Sequence, residues 1–399
     1  MNINKEIFVS IMLDDTTLPV GKLWCYNRKG RESASFEYNN EWLANPRRFA
    51  LEPALALTVG THYTDKSLFG AIGDSAPDRW GRILMQRAND TGRTLLETDY
   101  LLGVHDETRQ GALRFSRSPN GPYLADSEKN AIPPLIKLPD LLLASEKFMD
   151  DRATAEELKL LLAPGSSLGG ARPKASVLDK NNHLAIAKFP RKDDETDVVR
   201  WEAVALTLAK AAGIHLPAFR LENIAGKAVL IIQRFDREGK QRIPFLSAMS
   251  MLGAFDTDGL VHCHTEIAHI LVQHGAQPNK DLEELWRRMV FEIMISNKDN
   301  HLRNHAFLYT GAGWVLSPAY DLNPSIEKSN FAVAIDDTGA HNTIPLAVKA
   351  AKHCRLSGQR EKEILEEVTS AVANWRKVAK SFGISESHTE QMKSAFAVG

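Results

Sequence analysis

The chain has 399 residues, of which 43% are hydrophobic and 25% charged, and its formal net charge is −1 at pH 7. This length exceeds one typical hydrophobic core, so two or three packed units are expected of an ordinary globular protein. The near-neutral charge predicts no general attraction to nucleic acid or anionic membranes, so any such contact must be local or made through a partner.

The N-terminal segment MNINKEIFVSIMLDD lacks the apolar core and the small-residue cleavage site of a signal peptide, and no apolar run of about 18 residues occurs. We therefore expect a cytoplasmic protein. The three cysteines, Cys25, Cys263 and Cys354, lie far apart and form no C-x-x-C pair, which fits reduced thiols without a structural disulfide.

Strand-like runs (IFVSIML, GKLWCY and SASFEY) broken by turn-forming segments predict a small sheet between residues 6 and 37. Further along the chain, Asp74 or Ser75 is the expected cap of a helix that continues through an apolar face. Its charged pair, Asp78 and Arg79, is expected on the solvated side of that helix, without a chemical role.

Two predicted helices between residues 138 and 162 lead into the segment PGSSLGGARPKASVLD. Exposed amides in such a segment can hold phosphate oxygens. It does not match the G-x-x-x-x-G-K-[ST] signature, so the NTPase P-loop is the wrong template. A simple glycine-rich turn is the alternative. The residues concerned are Gly165, Ser166, Ser167, Gly169, Gly170 and Lys174.

The next strand, HLAIAKFP, places Lys188 among apolar residues, where kinases keep the lysine that binds the α- and β-phosphates. A lysine extending from a sheet edge is the alternative. The amphipathic helix that follows ends at Gly213 and carries Glu202. We expect Glu202 to be an exposed surface residue, and a pair with Lys188 is the alternative.

A later apolar strand ends in Gln233, Arg234, Phe235 and Asp236. In a two-lobed kinase the chain crosses here to the helical lobe, and its backbone groups meet the adenine edge. Nearly everything beyond this point has helical periodicity. A strand-rich first half, a helix-rich second half and a crossover at about residue 236 together predict an α+β bilobal fold.

The segment 292–321 carries the clearest chemical pattern. An apolar helix leads to Asp299 and, five residues on, to Asn304, and a strand-turn-strand pattern then ends in Tyr320 and Asp321. This layout suits phosphoryl transfer, in which one carboxylate orients the attacking hydroxyl while an amide and a second carboxylate hold Mg²⁺. The spacing also arises by chance, and a polar turn that caps a helix is the alternative.

Two histidine groups are weighed as sites for another metal. His301 and His305 lie four residues apart without an intervening glutamate, and His262, Cys263 and His264 form a second group. His262 and His264 would point apart on a helix. We expect no metal other than Mg²⁺.

The ordered set SSLGGARPKASV, HLAIAKFP, QRFDR, SNKDNHLRNHAFL and SPAYDLNPS resembles the HipA family of bacterial toxin kinases. The resemblance covers almost the whole chain, including the N-terminal sheet and the segment LFGAIGDSAPDRWGR. It implies a bilobal protein-kinase-like fold of three parts. These are an N-terminal subdomain (1–105), a kinase N-lobe with the glycine-rich loop (106–236), and an all-helical C-lobe with the catalytic and metal loops (237–399).

The resemblance also implies an ATP- and Mg²⁺-dependent serine/threonine protein kinase, the toxin of a type II toxin–antitoxin pair. Asp299 matches the catalytic aspartate, Asn304 and Asp321 match the magnesium ligands, and Lys188 matches the ATP-binding lysine. Ser167 aligns with the serine that members autophosphorylate to switch themselves off. The nucleotide-binding positions that the resemblance implies are Gly169, Gly170, Ala171, Arg172, Pro173, Lys174, Lys188, Gln233, Arg234, Phe235, His301, Leu302, Arg303, Asn304, Tyr320 and Asp321.

The glycine-rich loop departs from the best-known member of the family, which has Gln and Glu where this chain has Arg172 and Pro173. The departure leaves the choice of substrate open. The neighbouring Ser166 also stays open as the modified serine in place of Ser167.

By the same resemblance, the partner is a HipB-like helix-turn-helix antitoxin that makes the DNA contact. The implied substrate is a protein, with an aminoacyl-tRNA synthetase such as glutamyl-tRNA synthetase as the leading candidate; its modification would stall translation and arrest growth. Two alternatives stay open: an inactive scaffold that acts with the antitoxin on operator DNA, and a small-molecule kinase. Intact Asp299, Asn304, Asp321 and Lys188 argue against the scaffold.

Overall fold

A computed structural model describes residues 5–89, 92–119, 121–123, 132–167, 170–255, 260–339 and 341–396. The chain forms two compact units. The first contains residues 1–192 and 224–246, and the second contains residues 193–223 and 247–399. These divisions differ from the boundaries expected at 105 and 236, because the chain leaves the first unit after residue 192 and returns to it at residue 224. The three-part division stays a prediction.

The secondary structure mixes strands and helices along the whole chain. The strands are β1 Lys5–Leu13, β2 Thr16–Arg28, β3 Arg31–Tyr38, β4 Thr61–Thr64, β5 Leu113–Ser116, β6 Lys174–Leu178, β7 Leu184–Lys188, β8 Phe219–Ile224, β9 Lys227–Gln233, β10 Arg237–Glu238, β11 Gln241–Arg242, β12 Phe245–Ser247, β13 Ala306–Tyr309 and β14 Trp314–Leu316. The helices are α1 Asn40–Ala44, α2 Gly70–Gly73, α3 Arg79–Arg87, α4 Glu97–Gly103, α5 Leu138–Met149, α6 Ala155–Gly165, α7 Val198–Ala211, α8 Ala248–Leu252, α9 His264–His274, α10 Pro278–Met294, α11 Ile344–Ala350, α12 Gly358–Val372, α13 Trp375–Ser381 and α14 Glu386–Gln391.

The first unit opens with an antiparallel sheet in the strand order β4-β3-β2-β1-β5. The runs predicted as strands between residues 6 and 37 form β1, β2 and β3. In β1, Ile7, Val9 and Ile11 are almost completely buried. Because side chains alternate between the faces of a strand, these residues place one face of the sheet in the core.

The helix expected to begin at Asp74 or Ser75 begins later. Asp74 follows the short helix α2 as its C-terminal cap, and Asp78 precedes α3 with an extended backbone. Pro77 disfavours the α conformation at Ala76, so the helical course of α2 does not continue directly into α3. Helix α3 therefore starts at Arg79 and presents Trp80 to the core.

In the first unit, strand β7 pairs antiparallel with both β6 and β9. A hydrophobic core joins this sheet to α3, α5 and α6, and Trp80 packs edge-on against Phe148 with ring centroids 5.5 Å apart. Helix α6 begins with a capping box between Thr154 and Glu157, and it includes Gly165 as its last residue. The glycine-rich loop thus starts at Ser166, directly after the last residue of α6.

The second unit is mainly helical, with β13 paired antiparallel to β14. Trp286 in the long helix α10 is fully buried and donates its indole N–H to Ala347 O at 2.8 Å. Trp375 stacks on Phe396 at 4.4 Å. The expectation of an exposed Glu202 is wrong: this side chain is buried, because residues 201–206 of α7 all lie in the core.

Cys25, Cys263 and Cys354 are buried free thiols. Burial raises the pKa of both Cys25 and Cys354 to about 12, so both thiols stay protonated at neutral pH. Among the helices that the structure describes, each is too short or too polar to cross a bilayer.

Candidate functional site

The segment after α10 is a tight loop fixed by its own backbone. Ser296 adopts a left-handed conformation (φ 50°), and the N–H of Asn297 donates to Glu292 O at 2.9 Å. The N–H of Lys298 donates to Ser296 O at 2.8 Å, and that of His301 donates to Asp299 O at 3.0 Å. Local bonds of this kind give residues 295–304 one defined course directly after the helix.

Asp299 and Asn304 are joined within this loop. The Asn304 side-chain Nδ2 donates to Asp299 O at 3.2 Å, which leaves the Asn304 amide oxygen for another partner. Asp299 itself is exposed, and Asn304 is half-buried. The five-residue spacing therefore brings a carboxylate and an amide oxygen to one short loop.

Asp321 lies at a second backbone turn, with φ 57°. Aspartate tolerates this left-handed region better than most residues, and such conformations are frequent at functional sites. Asn323 donates from Nδ2 to Asp321 Oδ1 at 3.2 Å, and its N–H donates to Asn297 Oδ1 at 3.1 Å. Asn323 therefore links the segment of Asp321 to the loop of Asp299.

The electrostatics of Asp299 reflect this proximity. Partial burial of the carboxyl raises the pKa of Asp299 above its usual value, and the negative charges of Asp321 and Glu327 raise it further. The electrostatic influence of His301 opposes them and lowers the pKa of Asp299. A carboxylate with a raised pKa, beside a second carboxylate, is suited to accept a proton.

The other residues near this loop that are predicted to contact the nucleotide differ in which of their groups a ligand could reach. Leu302 is buried, so only its backbone is available to a ligand. Tyr320 donates its hydroxyl to Arg303 O at 2.5 Å and so fastens the loop. The His301 ring is half-buried, and its buried Nδ1 has no hydrogen-bond partner among the described residues.

In the first unit, the glycine-rich loop is held by α3. The N–H of Gly170 donates to Asp78 Oδ2 at 3.1 Å, and Gly170 O accepts the backbone N–H of Trp80 at 2.9 Å. Gly170 has φ 71°, and a Cβ there would come within 2.7 Å of Lys174 Nζ. The left-handed backbone at this position favours glycine. Gly169, another predicted contact, lies outside the described residues.

Lys174 and Lys188 stand opposite each other in the ladder of β6 and β7. Directly opposed residues of an antiparallel pair project from the same face, a few ångströms apart. The Lys174 carbonyl accepts the indole N–H of Trp80 at 2.8 Å, which fixes the start of β6 against α3. Pro173 O accepts the N–H of Phe189 at 3.0 Å, while Ala171 is exposed and Arg172 half-buried.

In the segment predicted to bind adenine, most of the polar groups already make hydrogen bonds or ion pairs within the protein. Gln233 pairs with Ala185 in the sheet, and the N–H of Arg234 donates to Leu184 O at 2.9 Å. The Arg234 side chain is buried in an ion pair with Asp236 at 2.5 Å. Phe235 is half-buried and stacks loosely on Phe245, with centroids 6.4 Å apart.

Ser167, the predicted autophosphorylation residue, is buried. It is only 4% exposed, and its hydroxyl has no hydrogen-bond partner among the residues that the structure describes. Ser166 is buried as well, and its Oγ is 3.4 Å from the His105 N–H. A phosphate on Ser167 therefore requires this segment to move out of the core.

Two of these supporting residues escaped sequence analysis. Asp78 was expected to be solvated without a role, but it is half-buried and accepts the Gly170 N–H. Asn323 was not considered. The tripeptide Asp-Leu-Asn that contains it is a weak indication of such a role. Asparagine side chains often form hydrogen bonds with groups a few residues away in the chain.

Comparison with known proteins places these features in context. The HipA-like C-terminal domain family matches residues 166–375. Toxin YjjJ of Escherichia coli K12 is 25% identical over 330 residues, which cover 77% of this chain and 68% of that protein. A candidate kinase of Haemophilus influenzae is 24% identical over 205 residues, which cover 46% of this chain but only 57% of the relative.

The solved complex of the Shewanella oneidensis MR-1 toxin–antitoxin system HipA, HipB and its operator DNA has a similar chain. The TM-score is 0.67 at 17% identity, over 97% of this chain and 94% of that one. At this identity the likeness establishes a common fold, with helices and sheets in a similar arrangement.

Proposed function

Since the chain belongs to the family with a HipA-like C-terminal domain, we propose that it is an ATP-dependent serine/threonine protein kinase and the toxin of a type II toxin–antitoxin pair. One observation carries the proposal. A single loop holds Asp299 with a raised pKa next to Asn304, and the charge of Asp321 acts on that same carboxylate. Phosphoryl transfer requires this combination of proton acceptor and oxygen donors.

The donor set fits magnesium. Mg²⁺ prefers carboxylate and amide oxygens, and it keeps part of its coordination for water and for substrate phosphates. The Asn304 amide oxygen is directed away from the bond that Nδ2 makes, and Asp321 brings a carboxylate already oriented by Asn323. With the nucleotide, the ion would neutralise charge on the phosphates. Asn304 and Asp321 are the residues that would hold it.

Asp299 is proposed to accept the proton of the attacking hydroxyl. The residue is exposed, so a substrate side chain can reach its carboxylate. Its raised pKa increases the affinity of that carboxylate for the proton during the reaction. His301, through its buried and unpartnered Nδ1, is available to orient a neighbouring group.

Lys174 and Lys188 are proposed to bind the phosphate chain. They project from the same face of the ladder of β6 and β7, so both ammonium groups can reach one anion, and Lys188 matches the ATP-binding lysine of the family. Because Gly170 has no Cβ, Lys174 Nζ can lie close to the backbone of the glycine-rich loop. Gln233 and Phe235 are proposed to offer backbone groups to adenine, since the N–H of Arg234 is already bonded.

The bilobal kinase-like layout, the division at residues 105 and 236, and the switch at Ser167 are parts of the same proposal and rest on the family resemblance. An antitoxin partner is supported by the Shewanella complex, in which a chain of this fold is solved with HipB and operator DNA. The near-neutral charge of this chain fits a DNA contact made through such a partner.

The test is incubation of the purified chain with Mg²⁺ and ATP labelled at the γ-phosphate, in a cell extract that contains both proteins and metabolites. A labelled protein supports the proposal, and its identity tests the expected aminoacyl-tRNA synthetase. A labelled metabolite supports a small-molecule kinase instead. Absence of any labelled product supports a scaffold that acts only with its antitoxin.

Paired variants connect this result to the site. Lys188→Ala should weaken ATP binding by removing a phosphate contact, whereas Lys180→Ala, an exposed lysine in the turn between β6 and β7, should leave it unchanged. Equal ATP affinity in both variants would contradict the role of Lys188. Titration with a fluorescent ATP analogue measures both.

A further inference from the structure

We infer that the second unit contains a buried transition-metal site, of the zinc class, formed by His264, Glu292 and His305. These three side chains are 2%, 4% and 1% exposed, and each offers a ligand atom within 4.8 Å of the other two. The imidazole rings of His264 and His305 meet edge to face, with centroids 5.2 Å apart. Two imidazole nitrogens and one carboxylate oxygen form a donor set typical of zinc.

The hydrogen bond of His264 fixes which of its nitrogens faces the cluster. Nδ1 lies 2.9 Å from Ala334 O, and a carbonyl can only accept, so Nδ1 carries the proton. Its Nε2 then faces the cluster and lies 3.3 Å from Glu292 Oε2. A metal ion bound there would meet a ring nitrogen and a carboxylate oxygen.

His305 provides the second, independent observation. Its Nδ1 is buried and has no hydrogen-bond partner among the described residues. Its Nε2 lies 2.9 Å from the Asn300 side-chain amide, whose oxygen and nitrogen exchange places by a half-turn. With the oxygen toward Nε2–H, Nδ1 has a free lone pair.

The hydrogen bonds around these residues resemble those that orient the ligands of known metal sites. Ligating histidines generally donate their other ring N–H to a carbonyl or side-chain oxygen, and here Ala334 O and Asn300 occupy those positions. The nearby cation, Arg288, is already paired with Glu284 at 2.7 Å and donates to Ser317 O. Its charge is thus balanced locally, and Glu292 remains available to a metal ion.

The site would tie together both ends of the loop 295–304. Glu292 lies in the last turn of α10, where its carbonyl accepts the N–H of Asn297, and His305 directly follows Asn304. His264 adds the first turn of α9. A bound ion would therefore hold the residues on either side of this loop in place. This inference does not depend on the proposed kinase activity, because it concerns ligands in the core.

The experiment is cobalt substitution of the full chain after removal of metal with a chelator. Co²⁺ bound by two imidazoles and a carboxylate gives a visible absorption band. Titration of its intensity gives the number of ions bound per chain. We expect one Co²⁺ per chain, displaced by Zn²⁺. His264→Ala and Glu292→Gln should weaken binding at least 100-fold, and Asn300→Ala by about 10- to 100-fold. His269→Ala, an exposed histidine of the same helix, should bind like wild type.

Three results would overturn the inference. The first is wild-type protein that binds neither Co²⁺ nor Zn²⁺ stoichiometrically at micromolar concentrations. The second is an unchanged Co²⁺ absorption band in a His264→Ala or Glu292→Gln variant that has wild-type circular dichroism. This result would mean that surface histidines bind the ion. Where those variants do not fold, zinc-edge X-ray absorption of the wild type decides: two imidazoles and one oxygen ligand support the site, whereas sulfur or oxygen-only coordination excludes it.

Discussion

Carboxylates in the two units have opposite surroundings. In the first unit, Asp236 is 2% exposed and accepts hydrogen bonds from Arg234 at 2.6 Å and from Arg237 at 2.8 Å. Despite burial, these arginines lower the pKa of Asp236. In the second unit, partial burial of its carboxyl raises the pKa of Asp299, the charges of Asp321 and Glu327 raise it further, and His301 opposes them.

The difference separates two uses of the same side chain. A carboxylate enclosed by arginines keeps its charge and connects segments, as Asp236 does when it accepts the N–H of Gly111 at 2.8 Å. Asp106 does the same with Arg114 and Arg242. A carboxylate beside other carboxylates is held in a state from which it readily takes a proton. The first arrangement contributes to the fold, and the second is the one to which the proposed function assigns proton transfer.

The largest effect is expected from Asp299→Ala. Loss of the proton acceptor should reduce phosphoryl transfer by about 10²- to 10⁴-fold, while ATP binding stays near wild type because its contacts are made elsewhere. Single-turnover transfer and nucleotide titration measure the two quantities. Asp337→Ala, an exposed aspartate of the same unit, is the control. Parallel loss of binding and turnover would make Asp299 a binding residue and break the contrast.

Asp236→Ala tests the other side of the comparison. It leaves Arg234 and Arg237 buried without their carboxylate, so the free energy of unfolding should fall by about 3–5 kcal/mol. Urea denaturation measures it. The control is Glu6→Ala, which breaks an exposed pair with Lys22 and should cost about 0–1 kcal/mol. Similar midpoints for the two variants would show that the buried pair contributes no more than a surface one.

The same contrast predicts a pH dependence. Because the folded-state pKa of Asp236 is lowered, its contribution to stability is present above the ordinary aspartate pKa of about 3.9 and is lost as the pH falls below it. For Asp299, whose pKa is raised, the active deprotonated form is lost at a higher pH than for an ordinary aspartate. Activity should therefore decline on acidification before the fold does.

Glu327→Gln sharpens this prediction. The substitution removes one negative charge that raises the pKa of Asp299, so the acid limb of kcat/KM should move to lower pH by a small amount. Glu327 is exposed, and its replacement should leave the maximal rate unchanged. An acid limb at the wild-type pH would mean that this limb reports a different group.

The smallest effect is expected at Ser167, whose buried hydroxyl has no hydrogen-bond partner within the part of the chain that the structure describes. Ser167→Ala removes an unbonded hydroxyl from the core, so the unfolding free energy should be unchanged or rise by up to about 1 kcal/mol. A loss of more than about 1 kcal/mol would mean that the hydroxyl makes a stabilising bond.

Phosphorylation of Ser167 should behave differently, because a doubly charged group cannot stay in that environment. The modified segment should leave the core and ATP affinity should fall. Mass spectrometry should find the phosphate in wild type but not in the Asp299→Ala variant. A phosphorylated chain with normal ATP affinity would refute the switch.

Features that depend on neighbours along the chain could be predicted from the amino-acid sequence. Strands β1 to β3, helices α5 and α6, and the family followed from alternation, caps and ordered motifs. The pairing of Asn304 with the Asp299 backbone is also local, since a five-residue loop can close only in a few ways. Each of these depends on interactions within a few residues, which periodicity and turn chemistry record.

Tertiary structure decided which distant side chains meet. The burial of Glu202, the bond from Gly170 to Asp78 across 92 residues, and the opposition of Lys174 to Lys188 depend on packing between separate elements. The histidines show this most clearly. Spacing along the chain grouped His301 with His305 and His262 with His264, but the fold brings His264 to His305 and Glu292, because α9, α10 and the following loop converge in one core.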